Sequence, residues 1–269
     1  MFANPYDSQM HQSVSKTLSQ LPEDRFRINE NVIALADGAG GMGVYAGEWA
    51  AYLCEHLPSE PWTDFSAFEK WLDNIWEQFF DLYQAQSQNT NWSAKFIEEG
   101  SASTLIVLWP EYHKAAVYGD SVLFVYDSPH GKLSASLASP LEFNESPYLI
   151  NWREPVLEVG FRLIDLPQQA EIWLASDTLA QYLWGTFLQS SSNSDDQRQF
   201  REVCQLPSRL GGLWENIARL PLQSFQKEVV QPLKSALSSE NNFREYVEKL
   251  QSQKVLGIDD MTLISLSIR

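Results

Sequence analysis

The chain has 269 residues, 44% of them hydrophobic and 13% aromatic, which is typical of a globular protein with a substantial core. Its formal net charge of −16 argues against nucleic acid and against an anionic membrane surface as partners, because both are negatively charged. Cys54 and Cys204 are too few for a disulfide framework, and we find neither a signal peptide nor a membrane-length apolar run, so we expect a cytoplasmic protein.

The predicted elements follow one another in blocks. Short, continuous apolar runs predict buried strands at 32–36, 104–109, 114–118, 122–126, 171–176 and 261–268. Apolar spacings of three and four predict amphipathic helices over 45–57 and 68–83, and we interpret the aromatic stripe of the second as core packing. Residues 178–250 are predicted to be mainly helical, with a mobile loop at SSSNSDDQ (190–197). This order favours an α+β layered domain.

The segment ALADGAGGMG (34–43) contains the spacing G-x-G-x-x-G at Gly38, Gly40 and Gly43. In a nucleotide-linked oxidoreductase such a loop would hold a dinucleotide pyrophosphate. That interpretation is remote here, because Asp37 would place a negative charge beside the pyrophosphate. The acid expected about 20 residues further on would be Glu60, which lies in a predicted loop between two prolines.

Aspartates recur at the predicted strand ends. Asp37 follows the strand at 32–36, Asp120 lies in a tight turn between two strands, Asp177 follows 171–176, and Asp259 and Asp260 precede 261–268. Several carboxylates that converge on one point require a cation, and oxygen ligands suit Mg²⁺ or Mn²⁺. Each aspartate alone could equally be a turn or capping residue, and the histidines and cysteines show no zinc-ligand spacing.

Six segments in a fixed order carry a family resemblance. They are PEDRF, ALADGAGGMG, GSAST, YGDS, LASD and IDDMT, and they extend from about residue 20 to the C-terminus. In this order they resemble the metal-dependent serine/threonine protein phosphatases of the protein phosphatase 2C (PPM) type. The resemblance implies a four-layer α/β/β/α sandwich, with two central, mainly antiparallel sheets flanked by helices and the metals in a cleft at one end.

The resemblance also implies a set of metal ligands. Asp37 would bridge two ions, Gly38 would contribute its backbone carbonyl, and Asp177 and Asp259 would be the remaining direct ligands. Glu23, with its neighbour Asp24, would support the second ion largely through water, and Asp120 would contribute to a weaker, third site.

The implied cofactor is Mg or Mn, as two ions with an additional, weaker third. The implied reaction is hydrolysis of phosphoserine or phosphothreonine esters by a metal-activated water, with a phosphoprotein as substrate and no covalent phosphoenzyme. Asp37, Asp177 and Asp259 would act in catalysis through that water. Cys54, on the apolar stripe of its predicted helix, is expected to be a core residue rather than a nucleophile.

The departures from the family pattern concern the substrate phosphate. The family's Arg, about four residues before the acidic pair, is replaced by Ser19. Lys16 is the nearest upstream base, Arg25 and Arg27 follow the pair, and the residue that binds the phosphate stays unassigned. Further departures are Val122 after GDS and Thr178 after Asp177. A regulatory module that binds metal but turns over poorly is therefore the alternative function.

We find no internal repeat and no domain linker, so we expect a single domain over 1–269. The region between LASD and IDDMT is longer than a minimal family domain and predicts a helical insertion within 178–250. We expect this insertion to pack beside the metal cleft and to shape substrate access. A helical layer remote from the site is the alternative.

Overall fold

The computed structural model of the chain describes residues 6–17, 21–41, 43–88, 90–206 and 211–268. The strands in these ranges are β1 (Tyr6–Val14), β2 (Arg25–Ile28), β3 (Ile33–Ala36), β4 (Ala102–Ser103), β5 (Leu105–Trp109), β6 (Lys114–Tyr118), β7 (Val122–Asp127), β8 (Lys132–Ala135), β9 (Ile150–Asn151), β10 (Phe161–Asp165), β11 (Ala170–Ala175) and β12 (Met261–Ile268). The α-helices are α1 (Ala46–Glu55), α2 (Phe65–Ser87), α3 (Trp92–Glu99), α4 (Asp177–Ser190), α5 (Ser194–Cys204), α6 (Gly211–Ala218), α7 (Gln231–Ala236) and α8 (Glu240–Ser252).

Two antiparallel sheets form the centre of the fold. Sheet 1 has the strand order β1-β12-β11-β7-β8, and sheet 2 has the order β10-β6-β5-β3-β2. Apolar side chains such as Leu35 and Ile264 fill the space between the sheets. Helices α1 to α3 cover the outer face of sheet 2, and α4 to α8 cover that of sheet 1. The predicted fold class, two antiparallel sheets flanked by helices, is confirmed.

Strand β3 shows why the central strands are continuous apolar runs in the sequence. Its side chains alternate between two buried surfaces, so Ile33 and Leu35 face the other sheet while Ala34 and Ala36 face the helices. All four residues are buried. A strand covered on both faces has no solvent side on which a polar residue would be favoured.

The aromatic stripe of α2 is core, as predicted. Asp64 caps the helix by accepting a hydrogen bond from Ala67 N at 2.9 Å. Phe68 and Phe79 have no exposed surface. The Phe79 ring lies 4.7 Å, centroid to centroid, from the ring of Trp49 on α1, so aromatic packing joins the two helices.

The prediction of a loop at 190–197 is wrong for its second half, which is helical. Asn193 caps α5 by accepting from the backbone N–H groups of Asp195 and Asp196, and the helix begins at Ser194. Polar residues that look like a loop in sequence are here a cap and an acidic first turn, which favour a helix N-terminus. The prediction that 178–250 is mainly helical is confirmed by α4 to α8.

Helices long and apolar enough to cross a membrane are absent from the described part of the chain.

Candidate metal-binding site

Antiparallel registers bring all the acidic segments to one end of the two sheets. The start of β2 pairs with the end of β3, the end of β6 pairs with the start of β5, and the end of β11 pairs with the starts of β7 and β12. The end of β1 pairs with the start of β12 as well. The segments around Glu23, Asp37, Asp120, Asp177 and Asp259 follow or precede these strand ends, so they meet although they are far apart in sequence.

Five carboxylates line one cavity at this end, which we call the carboxylate cavity. Its volume is about 220 Å³. The carboxylates belong to Glu23, Asp37, Asp120, Asp177 and Asp259, and Gly38 and Lys16 line the cavity as well. The structure thus brings together every residue that the sequence singled out as a metal ligand.

Burial and mutual repulsion raise the pKa values of the aspartates in this cavity. The pKa of Asp37 lies well above its ordinary value because the side chain is buried and faces the charges of Asp24, Asp177 and Asp120. Burial, with the charge of Asp259, raises the pKa of Asp177 to about 6. Burial, with the charge of Asp177, raises the pKa of Asp120 to about 7. Such a cluster favours a cation that offsets its charge.

The donor set matches Mg²⁺ or Mn²⁺, which prefer carboxylate and carbonyl oxygens. The side chains do not, however, close around one point. Among the described residues, no group of three or more His, Cys, Asp or Glu side chains is arranged to hold an ion. The donor atoms and their common location therefore suit a divalent cation, although the side chains do not form a closed coordination shell.

Asp24 belongs with the buried acids and supplies oxygens that lack a partner. Its side chain is 2% exposed, and burial raises its pKa to about 7. It lies beside Thr262 and Asp37, yet neither carboxylate oxygen has a hydrogen-bond partner among the described residues. Buried, unpaired oxygens are costly and indicate a missing partner. The family resemblance gave Asp24 only as the neighbour of Glu23. The acidic pair in PEDRF was the sequence signal that pointed to it.

Packing requires glycine at two positions of ALADGAGGMG. A Cβ at Gly38 would lie 2.8 Å from the backbone carbon of Ala46, and one at Gly43 would lie 2.3 Å from Gly100 O, whereas a Cβ at Gly40 would meet only the movable carboxylate of Glu23. Strand β3 pairs antiparallel with both neighbours, whereas a dinucleotide loop belongs to a parallel βαβ unit. The loop therefore positions Asp37 and Glu23 and lacks the setting of a dinucleotide site.

The uncharged residues of the motifs hold the acidic segments together. Thr104 N donates to Asp37 O at 2.9 Å, and the hydroxyl groups of Thr104 and Ser121 lie 2.7 Å apart. Ser176 Oγ accepts from Thr262 N at 3.0 Å. Thr104, Ser121, Ser176 and Thr262 are all buried. Hydrogen bonds thus connect GSAST with YGDS, and LASD with IDDMT, in addition to the strand pairing.

Asp260 and Lys16 are functional candidates that the ligand set predicted from the sequence does not contain. Asp260 accepts from Lys16 N at 2.7 Å through one carboxylate oxygen and from Glu23 N through the other. Lys16 Nζ lies 2.8 Å from Glu23 Oε2 and 3.8 Å from Asp259 Oδ1. The hydrogen bond to Glu23 and the nearby carboxylates raise the pKa of Lys16, so its ammonium is charged at neutral pH.

The other basic residues near the acidic pair, Arg25 and Arg27, form hydrogen bonds with backbone oxygens and so stabilise the fold. Arg25 donates to the backbone oxygens of Pro22 and Asp24. Arg27 donates to Cys54 O at 3.1 Å and Glu55 O at 3.0 Å, at the negative end of the α1 dipole. Val122 is buried in the core between sheet 1 and its helices. Ser19, where the family pattern has an Arg, lies outside the described residues.

The comparisons with known proteins support the fold. No protein-family model and no curated protein matches the sequence. The PPM Ser-Thr phosphatase MsPP from Mycobacterium smegmatis, solved in complex with cacodylate, is similar with a TM-score of 0.52 at 13% identity, over 98% of this chain and 99% of that chain. A bacterial serine phosphatase bearing a mutation is similar with a TM-score of 0.51 at 16% identity, over 97% of this chain and 98% of that chain. The chain therefore has the fold of PPM Ser/Thr phosphatases.

Proposed function

We propose that this protein is a metal-dependent phosphatase that hydrolyses phosphoserine and phosphothreonine esters in phosphoproteins. The observation that carries the proposal is the meeting of Glu23, Asp37, Asp120, Asp177 and Asp259 around one cavity. The cavity lies at the end of a sandwich with the fold of PPM phosphatases. The proposal includes a single domain over residues 1–269, located in the cytoplasm.

The proposed ligand set is the one that the family resemblance implies, and the position of its members around one cavity supports it. Asp37, the Gly38 carbonyl, Asp177 and Asp259 would bind two Mg²⁺ or Mn²⁺ ions, with Glu23 supporting the second and Asp120 a weaker third. When bound, such ions supply an activated water nucleophile and offset charge on the phosphoryl oxygens. Asp260 keeps the Glu23 backbone at the rim of the cavity.

Lys16 is the proposed phosphate-binding residue. Within the described residues, it is the basic side chain that lines the carboxylate cavity. A phosphoryl group in this cavity would accept charge-assisted hydrogen bonds from its ammonium. The hydrogen bond from Lys16 N to Asp260 holds the segment that carries this side chain.

The test is hydrolysis of a phosphothreonine peptide with Mn²⁺, with Mg²⁺ and with EDTA. We expect turnover with either ion and none with EDTA. Asp37→Asn should lower Mn²⁺ affinity and turnover together, by about a hundredfold or more, because one ligand would serve both ions. Asp81→Asn, at an exposed position of α2, is the matched control. Mn²⁺ binding by calorimetry without any turnover of the wild type would favour the regulatory module instead.

A further inference from the structure

A second cavity opens beside the carboxylates, and we call it the Gln181 cavity. Its volume is about 390 Å³. It shares Asp120, Asp177 and Pro147 with the carboxylate cavity, so the two cavities adjoin. Its other walls come from α4, from α6 and from the loop between β8 and β9. A substrate whose phosphate lies at the carboxylates would therefore lie next to this second cavity.

Gln181 is the feature of this cavity that points to a ligand. It lies on α4 four residues after Asp177, so both side chains face the same side of the helix. The side chain of Gln181 lines the cavity and is only 7% exposed. Its amide forms no hydrogen bond with any described residue, and its polar atoms stay open to the cavity rather than sealed in the core. An amide that lines a cavity in this way is free to hydrogen-bond a bound molecule.

The remaining lining indicates what kind of molecule fits. Phe143 and Leu213 contribute apolar surface, and Phe143 is buried. Asn144 and Glu145 lie at exposed positions of the rim. A primary amide offers one acceptor and two donor hydrogens. It is complementary to a peptide group, which presents one N–H and one C=O, and the apolar walls suit an uncharged side chain next to that group.

We infer that the Gln181 cavity binds the residue next to the phosphorylated residue of a protein substrate. Gln181 hydrogen-bonds the main chain of that residue, and its apolar side chain packs between Phe143 and Leu213. This inference rests on the proposed function, because it places the phosphate at the carboxylates. It gives the protein a preference for phosphopeptides over small phosphoesters, which reach the carboxylates but leave the Gln181 cavity empty.

The test compares two substrates in two variants. Gln181→Met keeps the length of the side chain but removes both hydrogen-bonding atoms, and Gln86→Met makes the same change at an exposed position of α2. The substrates are a phosphothreonine peptide with apolar neighbours and p-nitrophenyl phosphate, both with Mn²⁺. We expect Gln181→Met to lower kcat/KM for the peptide about five- to tenfold more than for p-nitrophenyl phosphate. Gln86→Met should leave the ratio of the two unchanged.

Equal changes on both substrates, or no change on either, would overturn the inference. A binding measurement separates it from the proposed function. Fluorescence anisotropy with a labelled, non-hydrolysable phosphonate peptide should show tighter binding to the wild type than to Gln181→Met. If the wild type hydrolyses neither substrate but this difference remains, the proposed function fails and the peptide site stands. If the two proteins bind the peptide equally, the peptide site is excluded.

Discussion

Asp260 illustrates how one side chain organises others around the carboxylate cavity. Its two carboxylate oxygens accept from the backbone N–H groups of Lys16 and Glu23. These bonds connect the segment before β2 to the segment before β12, at the end of the chain. Lys16 then reaches Glu23 and Asp259 with its ammonium. The proposed phosphate contact of Lys16 thus depends on a residue that would not touch the substrate.

Replacing Lys16 tests that contact. Lys16→Met should raise KM for p-nitrophenyl phosphate about tenfold or more with a smaller change in kcat. A charge-assisted hydrogen bond to the phosphate stabilises the bound substrate and the transition state alike. Steady-state kinetics with Mn²⁺ measure both constants. Lys132→Met, at an exposed position of β8, is the control, and an unchanged KM in Lys16→Met would remove Lys16 from the phosphate site.

Cys54 should be inert, as expected for a core residue. Burial raises the pKa of its thiol to about 12, so almost no thiolate is present at neutral pH. Cys204 is only partly buried. In the folded protein at about pH 8 we expect DTNB to label Cys204 readily and Cys54 only after unfolding. Rapid labelling of Cys54, or loss of phosphatase activity on its alkylation alone, would contradict this assignment.

At the scale of elements, apolar patterning predicted the buried strands and missed the polar ones. The runs that became β3, β5, β6, β7, β11 and β12 are covered on both faces. Strand β1, with the sequence YDSQMHQSV, lies at the edge of sheet 1, where β12 is its one partner among the described strands. Edge strands carry polar residues and show little hydrophobic periodicity. The pairing partner, rather than local preference, makes this segment a strand.

The packing of α2 against α1 provides a stability prediction. Phe79→Ala should lower the free energy of unfolding by about 3–5 kcal/mol, because it removes a fully buried ring and leaves a cavity. Urea denaturation followed by tryptophan fluorescence measures the change. Leu82→Ala on the same helix, where the side chain is 50% exposed, should cost less than about 1 kcal/mol. Equal costs for the two variants would contradict the core assignment of the aromatic stripe.

The helical insertion predicted within 178–250 remains a proposal, but the structure shows which cavity its helices line. Leu213 on α6 lines the Gln181 cavity together with Asp120 and Asp177. The helices after LASD therefore border the space next to the carboxylates. This location agrees with the expectation that the insertion shapes substrate access, and the kinetics of Gln181→Met test the same surface.

At the scale of the whole molecule, the acidic end of the sandwich should make stability depend on pH. The pKa values of Asp24 and Asp120, each raised to about 7, and of Asp177, raised to about 6, exceed the unfolded value. Each of these groups therefore binds its proton more tightly in the folded chain. The metal-free protein should lose stability as pH rises from about 4 to about 7.

Thermal unfolding of EDTA-treated protein tests whether stability falls with rising pH, as predicted. We expect Tm to fall between about pH 5 and about pH 7.5, and Mn²⁺ to raise Tm more at the higher pH, where the ligands are deprotonated. Asp120→Asn should flatten the metal-free profile. A Tm that rises steadily across this range without metal would show that the acids do not repel one another as their positions indicate.

The sequence by itself determined the order of the acidic segments, the buried strands and the α+β class. These properties depend on local signals: apolar periodicity, turn residues and the spacing of motifs. Only the tertiary structure decided which side chains meet, because contacts such as that of Lys16 with Asp260 join residues 244 positions apart. It also decided that Gly38 packs against Ala46, and that the Gln181 amide lines a cavity without a partner among the described residues. Such facts depend on the pairing register of strands and on burial, which no short stretch of sequence encodes.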